Sequence, residues 1–165
     1  EITGNASYGV EVRENSDPQI EANTIVGSKV GVLVHNGGRG NFVSNDVSRS
    51  AEACVRIMTA GNPDLVDNKL HDGLGYGVSV DDQGLGHLRN NKIFGNATAG
   101  LAIGNQGNAL VESNQIYNHN HMGVVAYAYG GGTLRANDIS DNDIGVQITF
   151  SSKPEVEMNR IVGHK

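Results

Sequence analysis

The chain has 165 residues, among them 23 glycines, a single cysteine and no tryptophan, and carries a formal net charge of −6. That length fits one domain, one cysteine excludes an internal disulfide, and an acidic balance with scattered basic residues argues against a nucleic-acid surface. No apolar run is long enough to cross a membrane as a helix, so neither nucleic acid nor membrane is an expected partner.

An asparagine recurs at 23, 45, 68, 91, 114, 137 and 159, with spacings of 22 or 23 residues. An aliphatic residue follows each by two positions, from Ile25 and Val47 through Leu70 and Ile93 to Ile161. An apolar residue precedes each by three, from Ile20 and Phe42 to Val156. Eight or nine residues after the asparagine stands a glycine with alternating apolar residues behind it, as in Gly77-Val78-Ser79-Val80. The coils starting at Asn23 and Asn137 are one residue short, and the missing residue lies between asparagine and glycine.

A period this short excludes helical repeats and propeller blades, and the leucine-rich signature is absent. Three short alternating segments per repeat predict three strands per coil. The expected fold is therefore all-β: a right-handed single-stranded parallel β-helix of about seven coils, a pectate-lyase-like solenoid forming one domain over residues 1–165. The asparagine is expected at a turn, where it tolerates left-handed backbone angles and bonds to its stack. The glycine is expected to supply a sharp entry to the next strand.

In chain order, coil 1–22 turns Val10 and Val12 inward. Coil 23–44 does the same with Val32 and Val34 and ends in Gly-Gly-Arg-Gly at 37–40. Coil 45–67 is irregular, with Ala53-Cys54 at the glycine position, and Cys54 is expected as a small buried residue. Coils 68–90 and 91–113 are the most regular. Coil 114–136 carries His119, His121, Tyr127, Tyr129 and the glycines 130–132, and coil 137–158 closes the regular region. Because the chain opens and stops inside a coil, the expectation is a piece of a longer protein.

On the glycine-led strand two outward rows run across the coils. One reads Glu11, Leu33, Arg56, Ser79, Ala102, Val125, Gln147, and the other Arg13, His35, Met58, Asp81, Gly104, Tyr127, Thr149. Neither clusters the carboxylates that a calcium site or an acid–base pair requires. Asp81 and Asp82 with Arg56 are expected to form a solvated turn with one surface ion pair. The histidines occupy different coil positions, except that His119 and His164 share one, two coils or about 9.6 Å apart. That is too far for one metal, so exposed turn histidines are expected, with no metal and no cofactor. A third ladder, Val26, Ser48, His71, Phe94, Tyr117, Ser140, stacks three aromatic rings on consecutive coils. It reads equally as a strip for a sugar face or a partner's apolar side chain and as a self-satisfied stack that stiffens the solenoid.

Residues 62–103 contain Asn62-Pro63-x-Leu65, Asn68-Lys69-Leu70-His71-Asp72-Gly73, Gly77-Val78-x-Val80 and Asn91-Lys92-Ile93-Phe94-Gly95-Asn96-Ala97. These resemble the parallel β-helix repeats of the CASH type, found in carbohydrate-binding proteins and sugar hydrolases. They are most similar to the coils of F-box-only ubiquitin-ligase subunits. The resemblance implies a non-catalytic recognition solenoid that binds a protein segment or polysaccharide, and the candidate ligand-binding residues are His71, Phe94, Tyr117, Arg56, Asp81 and Tyr127. The alternatives are a fragment of a carbohydrate-active enzyme, a polysaccharide lyase, hydrolase or epimerase, and a structural spacer. The expected setting is cytoplasmic, with a secreted or cell-surface location as the alternative.

Overall fold

The computed structural model describes residues 1–163, and His164, named above for its shared coil position, lies outside them. Its strands form three parallel sheets, each coil supplying one strand to each. Sheet 1 follows the asparagine and includes Lys69–His71, Lys92–Phe94 and Gln115–Tyr117. Sheet 2 holds the five-residue strands, among them Ala53–Ile57, Tyr76–Val80, Ala99–Ile103 and Met122–Ala126. Sheet 3 precedes the asparagine and includes His87–Arg89 and Thr133–Arg135. The result is a right-handed β-solenoid of about seven turns.

The register follows the sequence period. Leu70 pairs with Val47 and Ile93, Leu88 with Leu65 and Val111, and Val78 with Val55 and Leu101. In the short coil at Asn23, Val26 pairs with Ser48 and Val30 with Ala53, so the absent residue lies in the turn between sheets 1 and 2. Alternation turns one aliphatic set inward, and Ile57, Leu88, Ile93, Ile103 and Ile116 are fully buried. Each such side chain contributes roughly 1.5–3 kcal/mol on leaving water.

The ladder asparagines are not left-handed, contrary to expectation. Positive φ falls on the residue before each: Ser44 at 54°, Asp67 at 55°, Asn90 at 57° and Ser113 at 56°. That residue makes the corner, which leaves the asparagine free to point inward. Asn91 then donates from Nδ2 to Leu65 O (2.9 Å) and Asn114 Oδ1 (3.0 Å). Its own Oδ1 accepts from the Asn68 amide at 2.9 Å and from Asn68 Nδ2 at 3.0 Å. The whole amide is thereby satisfied away from water.

The recurring glycine also has a different cause from the one expected. Gly77 has no positive φ, but a Cβ there would meet Ile93 Cγ2 at 2.3 Å and Gly100 O at 2.6 Å. It is a packing requirement at an inward corner. Cys54 fills this position in the irregular coil and is buried, as expected, and burial pushes its thiol pKa up to about 12.

A second inward polar ladder runs five residues after the first: Asn5, Ser28, Ser50, Gly73, Asn96, His119, Asn142. His119 is therefore not an exposed turn residue but a buried rung. Its Nδ1 accepts from the Asn96 amide at 3.1 Å, and Nε2 lies 3.1 Å from Ile93 O. The bond to the carbonyl places the proton on Nε2. Burial first of all lowers its pKa to about 4.

Three other histidines are half-buried and each is paired with a carboxylate of a neighbouring coil, His71 also with the adjacent Asp72, again unlike exposed turn residues. His35 meets Glu11 at 2.9 Å, His71 lies between Asp46 and Asp72 at 2.9 Å from each, and His87 contacts Glu112 at 2.9 Å and Asp64 at 3.5 Å. Glu112 is held below the usual carboxylate range by His87 and then by Arg135. His121 alone among the described histidines is exposed.

Candidate functional site

The outer face of sheet 2 carries short side chains at Ala53, Ala99, Ala102 and Ser79. Larger residues at its edge make a groove of about 320 Å³, lined by Glu52, Ala53, Arg56, Gly75, Tyr76, Ser79, Asp81 and Tyr127. Three residues singled out from the sequence, Arg56, Asp81 and Tyr127, thus meet at one place.

The pair register puts Arg56 beside Ser79, one coil apart. Arg56 reaches Asp81 through two bonds, Nε to Oδ2 at 3.2 Å and Nη2 to Oδ1 at 3.4 Å. The Ser79 hydroxyl donates to Oδ2 at 3.1 Å. Asp81 is not part of a solvated turn, since only 6% of the residue is exposed. A carboxylate out of water needs such donors, because an unpaired one there is costly. Asp82 turns outward at φ 45° and accepts from Thr59 Oγ1 at 2.9 Å. On the outer side Arg56 Nη1 lies 3.9 Å from Glu52, which is itself 3.1 Å from Lys29.

Tyr127 lies back across the coil before it. A Cβ on Gly104 would come within 2.2 Å of Tyr127 Cζ, so the ring covers the space where Gly104 has no side chain. This directs the phenol toward the coil of Asp81 and Tyr76. Burial chiefly raises the Tyr127 pKa, with Tyr76 and Asp81 adding to it, so the hydroxyl stays protonated and can donate. The groove therefore offers two phenol rings, a guanidinium edge, a hydroxyl and a rim carboxylate. Such a set matches a ligand with apolar faces and many hydroxyls.

Tyr76 was absent from the sequence-derived candidates. It starts a strand in the row of Ala53, Ala99 and Met122 and lines the groove together with Tyr127. An aromatic pair separated by 51 positions has no local signature.

His71, Phe94 and Tyr117 do stack on consecutive strands of sheet 1. Their ring centroids are 4.7 and 5.2 Å apart, and the planes are within 3° and 10° of parallel. None of the three lines the sheet 2 groove. Each ring spends a face on its neighbour, and the two aspartates fix the imidazole, so the strip presents edges more than faces. Among the described residues no group of three or more histidine, cysteine, aspartate or glutamate side chains is placed to hold a metal ion.

The chain is similar to solved structures of the periplasmic alginate epimerase AlgG. One matches at a TM-score of 0.85 and 15% identity, covering 95% of this chain and 42% of that one. A point mutant matches at 0.74 and 18%, with 94% and 48% covered, and another at 0.63 and 16%, with 94% and 47% covered. The chain spans less than half the length of these structures, and at such identities the likeness concerns the fold. No curated protein sequence matches it. The family model described as "right handed beta helix region" matches residues 1–110 and 86–165, and with the ladders and register above, the chain belongs to the right-handed β-helix family.

Proposed function

We propose that this chain is the glycan-holding part of a carbohydrate-active protein, with a polysaccharide lying along the groove of sheet 2. The observation that carries this reading is the convergence of Arg56, Asp81, Ser79, Tyr76 and Tyr127 on one open surface. Phenol rings receive the C–H faces of a pyranose, while the guanidinium, Ser79 and the Tyr127 hydroxyl address its oxygens. The named activity of the structural neighbours, alginate epimerisation, supports a polysaccharide ligand, and their periplasmic setting supports a location outside the cytoplasm. In this reading Asp81, held by three donor contacts, orients Arg56 rather than acting as a free base.

The decisive experiment is titration calorimetry against neutral and acidic oligosaccharides, with the same mixtures assayed for new reducing ends, unsaturated ends and exchange at sugar carbons. Binding that falls at least tenfold in Tyr76→Ala and Tyr127→Ala, with unchanged melting temperature, supports the groove. Absence of binding to every saccharide overturns it.

A second reading, recognition of a protein segment as in the F-box subunits, is favoured by the stack of His71, Phe94 and Tyr117. A ligand along that stack would lose affinity in Phe94→Ala and Tyr117→Ala and be indifferent to the groove variants.

A further inference from the structure

The turn between sheets 2 and 3 carries a second concavity, outside the groove. It has a volume of about 410 Å³ and is lined by Gln106, Gly107, Asn108, Tyr129, Gly131, Gly132, Thr133, Lys153 and Glu155. Its origin lies in one rung. The backbone ladder Arg39, Asn62, Leu85, Asn108, Gly131, Lys153 links each residue by its amide to a carbonyl of the preceding coil, as Gly131 does to Gly107 O at 2.9 Å and Lys153 to Gly130 O at 3.0 Å. Every member carries a side chain except Gly131.

The fold itself does not demand that glycine. A Cβ on Gly130 would meet Ile103 O at 2.1 Å, and one on Gly132 would meet Ala109 O at 2.3 Å, so those two are compelled by packing. At Gly131 the nearest atom is Asn108 Oδ1 at 3.7 Å, an ordinary contact, and φ is not positive. The missing side chain leaves a notch one coil wide, with Asn108 and Lys153 as walls about 9.6 Å apart by strand spacing.

The flanking ladders furnish the notch. On one side stands Tyr129, 68% exposed, between Gln106 and Ser151, its amide fixed to Phe150 O at 3.1 Å. On the other stands Thr133, whose hydroxyl donates to Glu155 at 3.3 Å. Lys153 forms no ion pair among the described residues. An exposed aromatic platform, amide side chains and an ammonium without an ion pair, beside a Glu155 carboxylate already held by Thr133, surround a preformed gap that suits a hydroxylated ring with one carboxylate turned to Lys153.

We propose that this notch is a second saccharide subsite, taking one uronate unit of a polysaccharide. The ring lies over Gly131 against Tyr129, its hydroxyls meet Gln106, Asn108 and Thr133, and its carboxylate meets Lys153. The inference rests on the reading of the chain as a glycan-holding solenoid and adds an acidic sugar class and a second point of attachment.

The test uses the whole chain with three substitutions: Gly131→Val, which fills the notch, Tyr129→Ala, which keeps an L residue at the left-handed φ of 65°, and Lys153→Ala. Calorimetry is run with oligouronates and with neutral cello-oligosaccharides, beside Tyr127→Ala as the groove control. The expected result is a loss of at least tenfold in oligouronate affinity for Gly131→Val and Tyr129→Ala at unchanged melting temperature. Lys153→Ala is expected to remove the preference for oligouronate over the neutral chain. Undiminished oligouronate binding in Gly131→Val and Tyr129→Ala overturns the notch, while its loss in Tyr127→Ala keeps the groove. If the notch variants lose binding and Tyr127→Ala does not, the notch stands and the groove falls. No saccharide binding to the unaltered chain overturns both.

Discussion

Cys54 and Gly73 meet at Asn96: a Cβ on Gly73 would come 2.9 Å from Asn96 Oδ1 and 3.3 Å from Ser50 O, with Cys54 Sγ in ordinary contact at 3.6 Å. Both residues approach Asn96 Oδ1, Sγ at 3.7 Å and the Gly73 amide at 2.9 Å. The cysteine at the glycine position and the glycine on the second inward ladder thus share one acceptor on the next coil. Cys54→Gly is expected to destabilise by about 1–3 kcal/mol through the void it leaves. Gly73→Asn is expected to destabilise through crowding of Asn96 Oδ1 and the Ser50 carbonyl. Because both residues approach Asn96 Oδ1, denaturant melts of the double variant should depart from the sum of the two single changes. Simple additivity would refute the coupling.

The asparagine ladder makes a prediction graded by position. Asn91 is fully buried and uses all of its hydrogen-bonding capacity, so Asn91→Ala leaves the Asn68 amide and Leu65 carbonyl short of partners. The expected loss is about 2–4 kcal/mol. Asn23, whose bonds are part-buried or exposed, should cost less on the same change, as read from urea midpoints.

His119 predicts a pH response. Its folded pKa of about 4 lies below its ordinary 6.5, so the unfolded chain binds the extra proton more readily. The stability it supports is fully present above pH 6.5 and declines as pH falls toward 4, by up to about 3 kcal/mol. His119→Asn supplies the amide found at Asn96 and Asn142 and should flatten this part of the stability profile. An unaltered profile in that variant would assign the acid response elsewhere.

Gly104→Ala tests how Tyr127 is held. The three atoms nearest the new methyl all belong to the ring of Tyr127, at 2.2–2.6 Å, so the ring must give way. Thermal stability is expected to change by no more than about 1 kcal/mol. Saccharide affinity is expected to fall as far as in Tyr127→Ala, which calorimetry on the two variants compares directly.

Repetition made the fold legible. The spacing of Asn68, Asn91 and Asn114 gave the register, and the pairing of His71 with Phe94 and Phe94 with Tyr117 followed from it. The ion pair of Arg56 with Asp81 was also visible, because adjacent rows a coil apart must be neighbours. What stayed hidden depends on how a position is filled. A ladder written Ser50, Gly73, Asn96, His119 has no common chemistry in sequence, so the buried role of His119 was masked by its usual preference for surfaces. Left-handed corners fell on Ser44, Asp67, Asn90 and Ser113, which share only their place beside an inward amide. The groove escaped in part because Gly104 reads as a gap and acquires meaning only when Tyr127 lies over it.

The rung vacated at Gly131 carries a wider consequence. Because each coil advances the axis by one strand spacing, removing a side chain at that ladder position carves a seat at a fixed address, and moving the glycine by one repeat would shift the seat by about 4.8 Å. The solenoid is thus a ruler with editable marks. Sites can be added, erased or re-spaced along it by single substitutions on a frame whose inward ladders never change.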